Sequence, residues 1–278
     1  MSLRSRLRFA VGSLAGRSCE EMLLRIWLLV CLLPLSAFAA TEHADALAEV
    51  QQRGTLRWGG DASGGGPYIY EGPDGKLIGF EYELVDYLAE QLGVKPEFVQ
   101  WEWETLPQKL KQGSIDLVLN GYEWSAERER ETSSSIPYYI YKLQLLARSD
   151  DASIKNWDDL RAKPGGKRKR VGVLQGSAAA RYMEKEFGDS VELLKLPEIT
   201  MVMGMVEQGT LDATLQDVPI VKFYGPQYPK LHEVGEPLEP GYYVAYFRTA
   251  DVALRERINA AILKAIGDGT LERIYKKY

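Results

Sequence analysis

The chain has 278 residues, 45% hydrophobic and 26% charged, with a net charge of −5, a globular composition long enough for two modest cores. Two cysteines and two histidines in the whole sequence leave too few parts for a Ser-His-Asp triad, a thiol enzyme or a His/Cys zinc site. The acidic balance disfavours nucleic acid as a partner, and the run Lys167–Arg170 reads as a solvated loop.

Residues 1–39 stand apart. Arg4, Arg6, Arg8 and Arg25 precede the apolar run "IWLLVCLLPLSAFA", which closes on the small-x-small pattern Ala37-Phe38-Ala39. The run holds about 12 to 14 apolar residues against the roughly 20 of a spanning helix, so a cleaved secretory signal is expected, with Met22 as an alternative start. Val30 before Cys31 is too large for a lipoprotein signal. Cys19 and Cys31 leave with the signal, and loss of its five Arg and two Glu takes the net charge from −5 to −8.

Short apolar strands then alternate with amphipathic helices, the pattern of an α/β fold. "TLRWGG" predicts a strand from Thr55, and "GFEYELVDYLAEQLG" a helix with Phe80, Leu84, Val85, Leu88 and Leu92 on one face and Gly93 as its stop. "PEFVQWEW" predicts a strand, then a short helix ends near Gly113 and a strand runs from Ile115 to Leu119. After the extended "PYYIYKLQLLARSD" the pattern restarts: strand "RVGVLQG", a helix opened by Ser177 and closed by Gly188, helix "ITMVMGMVEQG" and strand "DATLQD". The extended "GYYVAYFRTAD" leads to a final pair of amphipathic helices. No internal repeat stands out. The two extended stretches flanking the middle unit predict an inserted lobe: a first lobe from 40–142 and 243–278, and a second from 143–242.

"DGKLIGFEYELVDYLAEQLG", "LKQGSIDLVLNGYEWSAERER", "SIPYY", "VGVLQGS", "GTLDATLQD" and "IGDGTLERIYKKY" fall in the order and spacing of family-3 extracellular solute-binding proteins, which the chain resembles over essentially its whole mature length. The resemblance implies the type II periplasmic-binding-protein fold, two α/β lobes joined by a two-strand hinge that closes on a small ligand. It further implies a monomeric receptor, without cofactor or metal, that hands a cationic or polar amino acid or related amine to an ABC transporter permease.

A zwitterion held between lobes needs a partner for each charge. Arg128 falls at the family's carboxylate-binding arginine, and Gly176, Ser177 and Ala178 at the turn whose amides meet the same carboxylate. Asp217 matches the ammonium-binding aspartate, Asn120 and Gly121 the loop beside it, and Trp103 an aromatic wall. There are departures. "DASGGGPY" replaces an aromatic lid, so either Tyr68 substitutes or the pocket is more open. Glu123 stands where amino acid binders commonly carry Ser or Thr. Either it pairs with Arg128 and occupies it, or it faces an added cation on the ligand, a reading that Asp61 favours; a third reading has it in solvent. Cyclohexadienyl and arogenate dehydratases also resemble this family, but Val218, Pro219 and Ile220 follow Asp217 where they place a catalytic glutamate. A sensory ectodomain is the other rival, and it calls for a spanning segment that the mature sequence lacks.

Overall fold

The computed structural model describes residues 46–161 and 165–278. The expected signal peptide, both cysteines and His43 lie outside them. In chain order come α1 (Ala46–Arg53), β1 (Thr55–Gly60), the hairpin β2 (Tyr70–Glu71) and β3 (Leu77–Ile78), α2 (Phe80–Leu92), β4 (Lys95–Gln100), α3 (Leu106–Lys111), β5 (Leu117–Val118) and β6 (Ser133–Ser134). They are followed by β7 (Tyr139–Arg148), β8 (Lys169–Leu174), α4 (Ala178–Glu186), β9 (Val191–Leu196), α5 (Ile199–Glu207), β10 (Ala213–Asp217), α6 (Val218–Tyr224), β11 (Leu231–Tyr243), β12 (Tyr246–Phe247), α7 (Val252–Gly267) and α8 (Thr270–Lys277).

These strands make two five-stranded sheets, ordered β4-β1-β5-β12-β6 and β11-β7-β10-β8-β9. In the first, β1 lies parallel between β4 and β5; in the second, β8 lies parallel between β9 and β10. Helices cover the parallel strands, so β10 is buried at every position rather than at alternate ones. The chain passes from β6 into β7 through residues 135–138 and returns from β11 to β12 through residues 244–245. Among the described residues no helix is long and apolar enough to cross a membrane.

Local sequence explains the main elements. Phe80, Leu84, Val85, Leu88 and Leu92 form the buried face of α2, and each such side chain contributes roughly 1.5–3 kcal/mol of transfer free energy. Gly93 ends the helix at φ 74°, a left-handed turn that glycine adopts without strain. Ser177 caps α4 by accepting the Ala180 N–H at 3.1 Å.

One device occurs in both sheets. Arg57 of β1 donates to Asp116 Oδ1 at 2.9 Å and to the Gly113 carbonyl at 3.0 Å; Arg170 of β8 donates to Asp212 Oδ1 at 2.8 Å and to the Gly209 carbonyl at 3.1 Å. The acceptors belong to "QGSID" and "QGTLD". Each clamp ties the turn after a helix to the start of a neighbouring strand, at the end of the sheet away from the cleft.

Candidate functional site

The groups singled out in the sequence come together where the loops of the two sheets meet. Glu123 follows β5, and its backbone is fixed by an antiparallel bridge to Tyr243: Trp124 N–H donates to the Tyr242 carbonyl at 2.8 Å and Val244 N–H to the Tyr122 carbonyl at 3.0 Å. Its side chain is buried, 3% exposed, which disposes of the solvent-facing reading. Arg128 Nη1 donates to Glu123 Oε2 at 2.9 Å and to the Glu123 carbonyl at 2.6 Å. Arg128 therefore pairs with Glu123.

Both residues also reach the second sheet's loops. Ala178 N–H, at the start of α4, donates to Glu123 Oε1 at 2.9 Å, and Arg128 Nη2 donates to the Gly176 carbonyl at 2.9 Å. Arg181 Nη1 adds a bond to the same carbonyl at 2.8 Å, and its Nη2 stands 4.0 Å from Glu123 Oε2. The Arg128 guanidinium lies over the Tyr122 ring at 4.6 Å and near that of Trp103 at 5.2 Å. Ser177 plays a different part from Ala178: its N–H and hydroxyl both donate to the Leu174 carbonyl, so it shapes the turn.

Asp217, at the C-terminal end of β10, is 8% exposed. It accepts from the Tyr243 hydroxyl at 2.5 Å, and the Tyr243 oxygen lies 2.6 Å from that of Tyr68. With Tyr243 donating to the carboxylate, Tyr68 donates to Tyr243. Burial first, then the charge of Glu123, pushes the Asp217 carboxyl well above the usual range, against the opposing pull of the Tyr243 hydroxyl and Arg181.

Gly121, at φ 60°, lets Tyr68 lie against the backbone, since a Cβ there would stand 2.7 Å from the ring. Trp103 stacks on Tyr122 at 4.3 Å and donates its indole N–H to the Asn120 carbonyl at 2.8 Å. Asp61 is committed to its own loop: its carboxylate accepts from Ser63 N–H, Gln100 Nε2 and Trp103 N–H at 2.9, 2.7 and 3.2 Å. Asn120 Oδ1 accepts the Asp61 N–H at 2.7 Å.

Two cavities of about 30 Å³ each flank Tyr68 and Trp103, each the share of roughly one water. One is lined by Glu123, Ser177, Gln216 and Asp217, the other by Asp61, Asn120 and Glu198. A wider cleft of about 500 Å³ is lined by Arg128 and Arg181. Its rim carries exposed ion pairs, Lys111 with Glu131 and Lys195 with Glu184, whereas the buried carboxylates Glu123 and Asp217 converge on the first small cavity. That cavity is the candidate solute site.

Two contributors escaped sequence reasoning, Tyr243 and Glu81. Glu81 is fully buried and accepts the Gly121 N–H on both oxygens, at 2.9 and 3.0 Å, and the Tyr138 hydroxyl at 2.5 Å. Burial pushes its carboxyl up to about 8, opposed by the Tyr138 and Gly121 bonds. An unfolded glutamic acid titrates near 4.5, so between these values the folded state holds a proton that the unfolded chain has released. This stability is fully present below pH 4.5 and is lost as pH rises towards 8. Glu81→Gln is expected to remove this slope, on the order of a few kcal/mol across the window. Urea unfolding of both proteins at pH 5 and pH 8 checks it.

The geometry defines a two-lobed protein whose buried charged groups meet across a closed cleft. Residues 56–278 match the model of the bacterial extracellular solute-binding proteins, family 3, and the chain belongs to that family. A probable amino-acid ABC transporter-binding protein of Haemophilus influenzae is 26% identical over 86% of this chain and 90% of its own length. The L-cystine-binding protein TcyJ of Escherichia coli is 29% identical over 84% of this chain and 85% of its own. Among solved structures, an ancestral arginine-binding protein bound to arginine superposes with a TM-score of 0.75 at 30% identity, covering 81% of this chain and 98% of that one.

Proposed function

We propose that this solute-binding protein is the periplasmic receptor of an ABC importer, closing its two lobes, joined through residues 135–138 and 244–245, around a small polar nitrogenous solute. The amino acid specificities of its relatives support a solute in the class of amino acids and related amines. One observation carries the reading: Glu123 from one lobe and Ser177, Gln216 and Asp217 from the other line a single small cavity, and the bonds Ala178 N–H to Glu123 and Arg128 to the Gly176 carbonyl close the lobes beside it.

A cavity of about 30 Å³ is too small for such a solute, so entry requires the lobes to part. The short crossings at 135–138 and 244–245 are the places where that motion is absorbed. Opening breaks the Arg128–Gly176 and Ala178–Glu123 bonds, and closure over a solute restores favourable pairing. With Val218, Pro219 and Ile220 after Asp217, the reading is of capture and release without chemistry.

A thermal-shift screen over amino acids and amines tests it. A solute at about 100 times its Kd stabilises by roughly 2.7 kcal/mol, and solution scattering with that solute is expected to report the closed form. Absence of any shift across the panel would reject the receptor reading.

A further inference from the structure

The charges at the lobe interface narrow the solute class, on the reading that this cleft is the receptor's site. A guanidinium from one lobe and the opening amide of a nine-residue helix from the other, Arg128 and Ala178 N–H, address one carboxylate. That carboxylate belongs to the protein. Glu123 is held there by its backbone bridge to Tyr243 and by bonds to both its oxygens.

Little donor capacity is left over. The second amino group of Arg128 is on the Gly176 carbonyl at 2.9 Å, where Arg181 also donates at 2.8 Å. Ser177 is tied to the Leu174 carbonyl through N–H and hydroxyl alike. Meanwhile Asp217 lines the same cavity, and among the described residues no Lys, Arg or His lies within ion-pair distance of it. Arg128 balances Glu123, and Asp217 remains. A zwitterion would satisfy Asp217 with its ammonium but bring a carboxylate for which the one remaining nearby cation is Arg181, 4.0 Å from Glu123 Oε2 and already donating to the Gly176 carbonyl. To seat it, Glu123 would have to leave its partners and stand as a second unpaired carboxylate beside Asp217, which is costly in a buried cavity. A bare amine brings only the charge that is missing.

We infer that Glu123 is a built-in stand-in for a solute carboxylate, filling the anion position between Arg128 and the start of α4, and that the protein takes cationic amines lacking a carboxylate, with the ammonium on Asp217. A threonine at this position is too short to reach both partners. Length and charge at residue 123 thus set the preference between amines and amino acids.

Calorimetry with three pairs that differ only by a carboxylate tests this: agmatine and arginine, cadaverine and lysine, histamine and histidine. In the wild type at least one amine is expected to bind tenfold or more tighter than its parent amino acid. Glu123→Thr is expected to raise affinity for that parent at least tenfold; Glu123→Gln, which keeps length and removes charge, is the second variant if the threonine protein does not unfold cooperatively. Arginine, lysine or histidine binding the wild type as tightly as the matching amine overturns the inference and leaves the receptor reading standing. Variants that fold but gain no amino acid affinity overturn it too. If neither wild type nor variants bind any of the six compounds or any other amino acid, both readings fall.

Discussion

Arg128→Ala is expected to cost the folded protein about 3 to 5 kcal/mol, one of the largest losses available to a single substitution outside the apolar core. The reason lies in what it leaves behind. The Glu123 side chain is 3% exposed and that of Arg128 14%, so truncation strands a buried carboxylate with one amide donor, Ala178 N–H, and a distant Arg181 at 4.0 Å. Removing both partners should hurt much less: in Arg128→Ala/Glu123→Ala the desolvated charge is gone, so the double variant is expected to recover most of the loss. Additive losses in urea unfolding would contradict a coupled pair. Arg128→Lys should recover only part, because an ammonium cannot hold Glu123 and the Gly176 carbonyl in the planar two-pronged geometry. Added salt should change the coupling little, since the pair is screened far less than a surface bridge.

Local chemistry made much of the fold legible in the sequence. The 80–92 helix was readable from its apolar spacing and glycine stop, and Ser177 as the cap of the 178–186 helix from its place before an alanine run. The pairing of Arg128 with Glu123 was one of the alternatives because the family resemblance puts an acid where Ser or Thr is common, beside the carboxylate-binding arginine. Elsewhere local signals misled. Strand 231–243 begins ten residues before the expected extended stretch; Pro237 and Pro240 mask it, and its register shifts between Val234 and Leu238 and again between Leu238 and Gly241. Glu81 looks like an acid favourably placed in the first turn of a helix, but the fold buries it against Gly121 and Tyr138, 40 and 57 residues away. The tyrosine chain to Asp217 joins residues up to 175 apart, and no spacing rule reaches across two lobes. Asp61, expected near the solute, is spent on ordering its own loop because three donors converge on it.

Asp217→Asn is expected to weaken a cationic amine by about 2 kcal/mol or more, at least roughly 30-fold, while making the protein without solute more stable, on the order of 1 kcal/mol. Both follow from the same placement. In the wild type a carboxyl is buried with a Tyr243 hydroxyl as its hydrogen-bond donor and Glu123 as an unfavourable neighbour; an asparagine oxygen accepts that hydroxyl without a charge to desolvate. The folded carboxyl titrates above its unfolded value of 3.8, so the stability tied to its proton is complete below that value and is lost as pH rises through the folded one. The gain from asparagine should therefore grow with pH. Affinity moves the opposite way. An ammonium favours the ionised form, so below the raised titration point binding must expel a proton, and affinity is expected to rise by up to about tenfold per pH unit until that point is passed. The groups that set this field are Glu123, Arg181, Tyr68, Tyr139, Tyr141 and Tyr243, and the tyrosines, all pushed upward by burial, keep their protons throughout. Calorimetry of the amine in two buffers of different ionisation heat counts the proton released. A wild type that releases no proton on binding and whose affinity for the amine does not rise with pH, or an Asp217→Asn variant that binds the amine as tightly as the wild type, would show that the ammonium sits elsewhere.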